Sequence, residues 1–196
     1  MFLDQFPAEG KQQGWIEVIC GSMFSGKTEE LIRRLRRAEF ANQKILLFKP
    51  KTDNRHASST VISHKGSSLD SVVIDKAEDV FNIWKDERIV AFDEAQFFDE
   101  SIIEVSKKLA DSGVRVLCAG LDMDFQGNGF GPMPLLMATA EYVTKVHAIC
   151  VSCGNLAYIS HRTVASKEQV LVGALEKYEP LCRACYTKAN QKNKIL

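Results

Sequence analysis

The segment WIEVICGSMFSGKT, residues 15–28, decides the fold. Its first six residues are mostly apolar and predict a β-strand. The next eight match the pattern G-x-x-x-x-G-K-[ST] without mismatch, and a helical pattern opens at Thr28. A glycine-rich turn between a strand and a helix directs successive backbone N–H groups toward phosphate oxygens. The segment therefore predicts a P-loop that binds the phosphates of a nucleoside triphosphate.

The residue types within this loop suit that chemistry. Lys27 is expected to reach the β- and γ-phosphates, and the Thr28 hydroxyl is expected to coordinate Mg²⁺. The start of the following helix adds a favourable field for an anion. The predicted phosphate-binding residues of the loop are Gly21, Ser22, Met23, Phe24, Ser25, Gly26, Lys27 and Thr28.

Outward from the loop, short apolar segments alternate with helix-like segments as far as residue 149. The predicted strands are 15–20, 44–49 (stopped by Pro50), 71–74, 88–92, 114–119 and 143–149. The predicted helices are 29–40, a helix that runs to Trp84, 102–110 and 132–140. This alternation predicts an α/β fold, a RecA-like P-loop parallel sheet with helices on both faces. We expect this domain to span residues 1–149.

Two carboxylates, Asp93 and Glu94, follow directly after the apolar strand that ends at Phe92. In P-loop proteins an aspartate at this place holds the magnesium shell, and Asp93 suits that role. Glu94 points to the other side of the extended chain and is placed to accept a proton from an attacking hydroxyl. Solvated acids are common at strand ends, but the neighbouring P-loop favours the functional interpretation.

Two cysteine pairs mark a second unit, residues 150–196. Cys150 and Cys153 form one pair, and Cys182 and Cys185 form the other. A two-residue spacing lets both thiolates of a pair face one tetrahedral Zn²⁺, and four thiolates leave no open position, so we expect a structural zinc ribbon. The spacer, residues 154–181, is longer than the roughly 15–20 residues typical of such ribbons, so it predicts an inserted loop.

Charge and hydropathy narrow the functional classes. The chain carries 25 basic and 25 acidic residues, and its pI is about 6.9. Proteins that bind polynucleotides usually carry an excess of Lys and Arg, so a nucleic-acid partner is disfavoured. No run approaches the roughly 18 apolar residues that span a membrane, and the N-terminal segment is polar. We expect a soluble cytoplasmic protein with no membrane partner.

Several motifs together resemble one known family. GSMFSGKT, DEAQFF (93–98), GLDMDF (120–125), CVSC and CRAC occur in the order found in the zinc-containing (type II) thymidine kinases of cellular and bacterial type. The resemblance extends from about Trp15 to Tyr186. It implies transfer of the γ-phosphoryl group of ATP to the 5′-hydroxyl of thymidine, with Mg²⁺ and with Glu94 as general base.

The resemblance also implies further site residues. Asp53 is expected near the magnesium ion and Arg55 near the phosphates. A lasso loop, residues 154–181, is expected to cover the nucleoside, and Phe125 is the best candidate for stacking on the base. The implied nucleoside-binding residues are Phe97, Leu121, Phe125, Phe130, Ser160, Leu171 and Tyr178. A homotetramer and feedback inhibition by thymidine triphosphate (dTTP) are implied as well.

Other functions stay open at this point. A kinase for another nucleoside would carry the same motifs, since base contacts through backbone groups leave no residue signature. A P-loop ATPase with a zinc ribbon acting on nucleic acid is disfavoured by the neutral charge. A non-catalytic nucleotide-sensing module is disfavoured by the intact pair Asp93 and Glu94.

Overall fold

A computed structural model describes residues 13–51, 60–62, 68–164 and 177–193. The strands are β1 (Trp15–Cys20), β2 (Ile45–Pro50), β3 (Thr60–Ile62), β4 (Ser68–Asp70), β5 (Val72–Ile74), β6 (Ile89–Phe92), β7 (Arg115–Gly120), β8 (Tyr142–Lys145), β9 (Ala148–Ile149), β10 (Leu156–Ala157), β11 (Ile159–Arg162) and β12 (Tyr178–Leu181). The α-helices are α1 (Lys27–Phe40), α2 (Val80–Ile83), α3 (Ser101–Asp111), α4 (Met133–Thr139) and α5 (Arg183–Asn193). Short 3₁₀ turns lie at Ala77–Asp79 and Ala95–Phe97.

The centre of the fold is a six-stranded sheet with the order β5-β2-β6-β7-β1-β8. Every neighbouring pair in it is parallel. Parallel neighbours require crossovers, and α1, α3 and α4 supply them after β1, β6 and β7. The carboxyl ends of these strands therefore meet at one edge, which is where ligands bind in open parallel sheets. The predicted α/β class is confirmed.

Helices pack on both faces of this sheet, as the sequence predicts. On one face the buried side of α1, including Leu31 and Leu35, packs against Ile19 and neighbouring strand residues. On the other face α3 and α4 pack against Val18 and Cys20. Successive residues of β1 thus enter opposite cores, because side chains alternate along a strand and both faces are covered.

A buried carboxylate on the α1 face ties several elements together. The side chain of Glu17 is fully buried and forms ion pairs with Arg34 of α1 and Arg115 of β7, each at 2.6 Å. Trp15 Nε1 donates to the same carboxylate at 2.7 Å. Burial by itself raises the pKa of Glu17, but the hydrogen bond and charge of Arg115, with the bonds from Trp15 and Arg34, hold the pKa below its ordinary value.

Some predicted boundaries are wrong. Helix α1 begins at Lys27 rather than at residue 29, because the phosphate loop leads directly into the first helical turn. Pro50 is the last residue of β2 rather than the residue that follows it. A proline at the end of a strand lacks one N–H donor, but it can still adopt the extended backbone conformation. The predicted strand 143–149 is two strands: β8 pairs with β1, whereas β9 pairs with β10. The hairpin of β3 and β4 was not predicted.

The C-terminal lobe, defined here as residues 148–164 and 177–193, has its own small core. Two antiparallel ladders, β9 with β10 and β11 with β12, enclose Ile159 and Leu181 together with Cys150. Phe24 of the phosphate loop packs against this core, so the lobe lies beside the loop. Across all the residues described, no helix has both the length and the apolar character that a membrane span requires.

Candidate active site

The phosphate loop lies at the carboxyl end of β1, where the backbone passes close to β8. Gly21 has a φ of +146°, and a Cβ atom there would lie 2.1 Å from the carbonyl oxygen of Val146. The N–H of Val146 donates to Cys20 O at 2.8 Å, which holds the two segments together. Glycine is therefore required at the start of the loop by close backbone approach, in addition to any ligand.

Two side chains of the loop, those of Ser25 and Lys27, are hydrogen-bonded to the backbone of the loop. Lys27 Nζ donates to the carbonyl oxygen of Ser22 at 2.8 Å, and Ser25 Oγ donates to the same oxygen at 2.7 Å. The ammonium group of Lys27 thus lies over the loop, at the first residue of α1. This is the place from which a P-loop lysine reaches phosphate oxygens.

The predicted magnesium-binding pair is brought together. The hydroxyl of Thr28 lies 3.4 and 3.5 Å from the two carboxylate oxygens of Asp93. Asp93 is 6% exposed, and its N–H donates to Phe48 O, which continues the pairing of β6 with β2. Residues separated by more than sixty positions in the chain therefore meet at the mouth of the phosphate loop.

Glu94 follows in an unusual backbone conformation. Its φ is +51° and its ψ is +43°, the left-handed region that non-glycine residues seldom occupy. The half-buried side chain accepts a hydrogen bond from Gln96 Nε2 at 2.5 Å. The chain therefore leaves the extended conformation of β6 at Glu94.

Gln96 links Glu94 to the loop after β7. Gln96 is 3% exposed, and its Oε1 accepts from the N–H of Leu121 at 2.9 Å. A Cβ on Gly120 would lie 2.7 Å from that oxygen, so glycine leaves room for the amide. Gln96 stands within the motif DEAQFF but was not predicted as a functional residue. Its position two residues after Glu94 was the available signal.

The predicted nucleoside-pocket residues fall into two groups. Phe97 and Phe130 form an edge-to-face pair with ring centroids 5.6 Å apart, and Phe97 follows Gln96 directly in the chain. Phe125 and Tyr178 form the second group, joined by Arg162, whose guanidinium lies 3.7 Å from the Phe125 ring centroid. No sequence pattern singled out Arg162. The roles of these aromatic residues stay predictions.

Ser160 contacts the phosphate loop. It is 4% exposed on β11, and its Oγ accepts a hydrogen bond from the N–H of Met23 at 2.8 Å. The sequence predicts Ser160 as a nucleoside-binding residue, and the structure adds a bond to a phosphate-loop amide. Three further predicted residues, Asp53, Arg55 and Leu171, lie outside the described residues. Of the predicted lasso, residues 165–176 also lie outside them.

The four predicted cysteine ligands converge in the C-terminal lobe. One sulfur atom from each of Cys150, Cys153, Cys182 and Cys185 lies within 4.8 Å of the others. A tetrahedral Zn²⁺ with bonds of about 2.3 Å places its sulfur atoms about 3.8 Å apart, so the cluster fits a structural zinc ion. Asn155 Nδ2 also donates to the Cys153 sulfur at 3.4 Å.

The other two cysteines, Cys20 and Cys118, are buried core residues. Burial raises the pKa of the Cys118 thiol to about 12. For Cys20, burial and then the charge of Asp122 raise the pKa to about 11. Thiols of this kind are protonated and unreactive at neutral pH.

The fold and site define a P-loop protein of the α/β class with a four-cysteine lobe. The family model for thymidine kinase matches residues 14–186. The chain belongs to the thymidine kinase family.

Close relatives match over nearly the whole chain. A thymidine kinase of Bacteroides thetaiotaomicron is 53% identical over 96% of this chain and 95% of its own length. A thymidine kinase of Bacteroides fragilis is 53% identical over 99% of this chain and 98% of its own length. One of Porphyromonas gingivalis is 52% identical over 93% of this chain and 90% of its own length. A solved structure, the Legionella pneumophila ATPase DotB, aligns with 66% of this chain and 35% of its own at 19% identity and a TM-score of 0.41, which supports no conclusion.

Proposed function

We propose that the chain transfers the γ-phosphoryl group of ATP to the 5′-hydroxyl of thymidine, giving dTMP and ADP. The observation that carries this proposal is the contact of Thr28 with Asp93 at the end of the phosphate loop, with Glu94 next in the chain, in a member of the thymidine kinase family. Phosphoryl transfer depends on positioning and charge neutralisation, and these residues are arranged to supply both.

Each part of the site has a proposed task. The backbone of residues 21–28 cradles the phosphates, and Lys27 neutralises charge on the β- and γ-groups, with Arg55 acting near the same phosphates. Thr28, Asp93 and Asp53 would hold a magnesium ion, because a hydroxyl and carboxylates are the oxygen ligands it prefers. Bound magnesium would stabilise the negative charge that develops on the phosphate oxygens.

Glu94 is proposed as the general base. Its backbone is left-handed directly after β6, and the amide of Gln96 is hydrogen-bonded to its carboxylate. This carboxylate would accept the proton of the 5′-hydroxyl as the oxygen attacks the γ-phosphorus atom. A strained conformation at an acidic residue beside a phosphate loop is the kind of outlier that marks a functional site.

The nucleoside is proposed to lie among the two aromatic groups of the site. Phe97, Phe130 and Leu121 supply apolar surface near Glu94, and Phe125 and Tyr178 supply it near the C-terminal lobe. The proposed lasso, residues 154–181 with Leu171, closes over the nucleoside and limits access of water, which competes as an acceptor. The division of the chain into units 1–149 and 150–196 belongs to the same proposal.

Zinc is proposed as the resident metal of the cysteine cluster. Four thiolates leave no open coordination position, so the ion would be structural and would hold the two ends of the lasso together. We further propose a cytoplasmic homotetramer that dTTP inhibits by feedback. A reducing cytosol accords with four free thiolates available to a metal.

The proposal is tested by transfer of radiolabelled phosphate from ATP to thymidine, deoxyuridine, deoxycytidine and deoxyguanosine. Thymidine is expected to give the highest kcat/KM. Preference for another nucleoside would replace the substrate but keep the reaction. ATP hydrolysis stimulated by DNA, without nucleoside phosphorylation, would favour a P-loop ATPase acting on nucleic acid.

Two variants test the assigned roles. Glu94→Gln is expected to bind ATP normally and to lose about 10²-fold or more in kcat, as expected for loss of a general base. Lys27→Ala is expected to abolish transfer. Near-normal turnover of Glu94→Gln would remove Glu94 as the base, and near-normal turnover of Lys27→Ala would show that the phosphate loop is misassigned.

A further inference from the structure

A buried arginine lies between two of the aromatic residues assigned to the nucleoside site, Phe125 and Tyr178. Arg162, the last residue of β11, is 7% exposed. Its guanidinium carbon lies 3.7 Å from the ring centroid of Phe125 and 5.3 Å from that of Tyr178. At 3.7 Å the planar cation is in van der Waals contact with the Phe125 face. One face of that half-buried ring is therefore taken by protein.

The same guanidinium is hydrogen-bonded to the second ring. Arg162 Nη2 donates to the Tyr178 hydroxyl oxygen at 2.7 Å, and Nε donates to it at 3.2 Å. Arg162 and Tyr178 are directly opposite each other in the pairing of β11 with β12. The position of the Tyr178 ring thus depends on a local strand pair and on two bonds from one planar group.

The arginine also lies at the stem of the segment proposed to cover the nucleoside. Thr163 N–H donates to Lys177 O at 2.9 Å, directly beyond the pair of Arg162 and Tyr178. Phe125, by contrast, belongs to the loop after β7, and its carbonyl oxygen accepts from the Tyr186 hydroxyl at 3.1 Å. Arg162 therefore connects the stem of the covering segment to a loop of the parallel-sheet domain.

We infer that Arg162 is a positioning residue of the nucleoside site that fixes Phe125 and Tyr178 as one unit and restricts a bound base to the opposite face or the edge of Phe125. The inference rests on the proposed function, since it takes these two rings as nucleoside contacts. It assigns a site residue that neither a P-loop nor a cysteine pattern indicates.

The chemistry of arginine explains why this residue type is present. A guanidinium is planar, stacks on aromatic faces and offers donors in a fixed fork, whereas a lysine ammonium is a compact and strongly hydrated charge. Lysine at position 162 would keep the charge but lose the flat contact with Phe125. It would also lose one of the two bonds to the Tyr178 hydroxyl. A positive charge at position 162 is therefore expected to be insufficient to hold the Phe125 and Tyr178 rings in place.

Steady-state kinetics of Arg162→Met and Arg162→Lys test the inference, with KM measured separately for thymidine and ATP. Arg162→Met is expected to raise the thymidine KM about tenfold, and Arg162→Lys to raise it about threefold, because ring positioning is lost wholly or in part. The ATP KM is expected to stay within about twofold of the wild-type value in both variants, because the substitutions leave the residues of the phosphate loop unchanged.

A matched control is Arg183→Met. Arg183 is exposed, and its guanidinium lies 4.4 Å from the ring centroid of Tyr158, outside the proposed nucleoside site. The Arg183→Met substitution also removes a contact between a guanidinium and an aromatic ring, and it is expected to leave the thymidine KM unchanged. Should Arg162→Met not fold, Arg162→Lys carries the test.

Three outcomes would overturn the inference. A lower kcat with an unchanged thymidine KM in Arg162→Met would show a merely structural role. A wild-type thymidine KM in Arg162→Lys would show that the planar contacts are not what the residue supplies. Absence of thymidine phosphorylation by the wild-type protein would instead refute the proposed function, and the inference with it.

Discussion

Gln96 offers a direct test of how the proposed base is held. Replacing Gln96 with Met removes the Nε2 donor to Glu94 and the Oε1 acceptor of Leu121 N–H, while keeping the length of the side chain. Glu94 would then keep its left-handed backbone but lose the bond that orients its carboxylate. We expect kcat to fall while the KM for ATP is little changed.

The magnitude follows from the bond between Gln96 and Glu94. A hydrogen bond to a charged group contributes about 1.5–3 kcal/mol, which corresponds to a rate change of about 10- to 150-fold. Glu94 is half-buried, so water replaces part of the lost interaction. The expected loss is therefore at the lower end, about tenfold in kcat.

The assay is a double-mutant cycle with kcat measured at saturating ATP and thymidine. If Gln96 acts through Glu94, Gln96→Met on a Glu94→Gln background should cost much less than on the wild-type background. Gln43→Met makes the same substitution at an exposed position beyond the end of α1 and serves as the control.

Two results would refute this account of Gln96. One is a kcat for Gln96→Met within about twofold of wild type, since the orienting bond would then contribute nothing. The other is a full additional loss on the Glu94→Gln background, which would show that Gln96 acts independently of Glu94. A matching loss in Gln43→Met would mark the effect as unspecific.

Three more predictions concern stability, nucleotide affinity and metal. Glu17→Gln should lower the free energy of unfolding by about 2–4 kcal/mol at pH 7. Because the pKa of Glu17 is depressed in the folded state, this difference from wild type should shrink as the pH falls below the ordinary pKa of 4.5. A difference that stays constant with pH in urea unfolding would contradict this. Ser160→Ala should raise the ATP KM about fivefold, because the hydrogen bond to Met23 N–H is lost, and Ser160→Thr should return the ATP KM to the wild-type value. An ATP KM of Ser160→Ala equal to that of wild type would show that this bond does not support nucleotide binding. Cys153→Ser should lower both the zinc content per chain and the melting temperature, and unchanged zinc by mass spectrometry would exclude Cys153 as a ligand.

The sequence predicts well those features that depend on neighbouring residues. β1 has the predicted bounds because the mostly apolar run ends where Gly21 begins a turn. The cysteine cluster was predictable because a two-residue spacing fixes the geometry of each pair. The class of fold followed from alternating strands and helices, since parallel strands must be joined by crossovers.

Contacts between distant residues could not be predicted in this way where no motif marks both partners, as one does for Thr28 and Asp93. Ser160 finds Met23 across 137 positions, and Gln96 finds Leu121 across 25. Arg162 pairs with Tyr178 across 16 positions and with a ring from another loop. The break between β8 and β9 was missed because residues 143–149 are suitable for a strand throughout, and only the separate pairing partners divide them.

The contact between the phosphate loop and the C-terminal lobe has a consequence for synthesis on the ribosome. Met23 is made early, but the hydroxyl that accepts its N–H emerges 137 residues later. At about 5–20 residues per second, this interval is about 7–27 seconds. A nascent chain that has completed the parallel sheet but not β11 lacks this support of the loop. Competence to bind nucleotide should therefore be acquired late in translation, after the strand that carries Ser160 has left the exit tunnel.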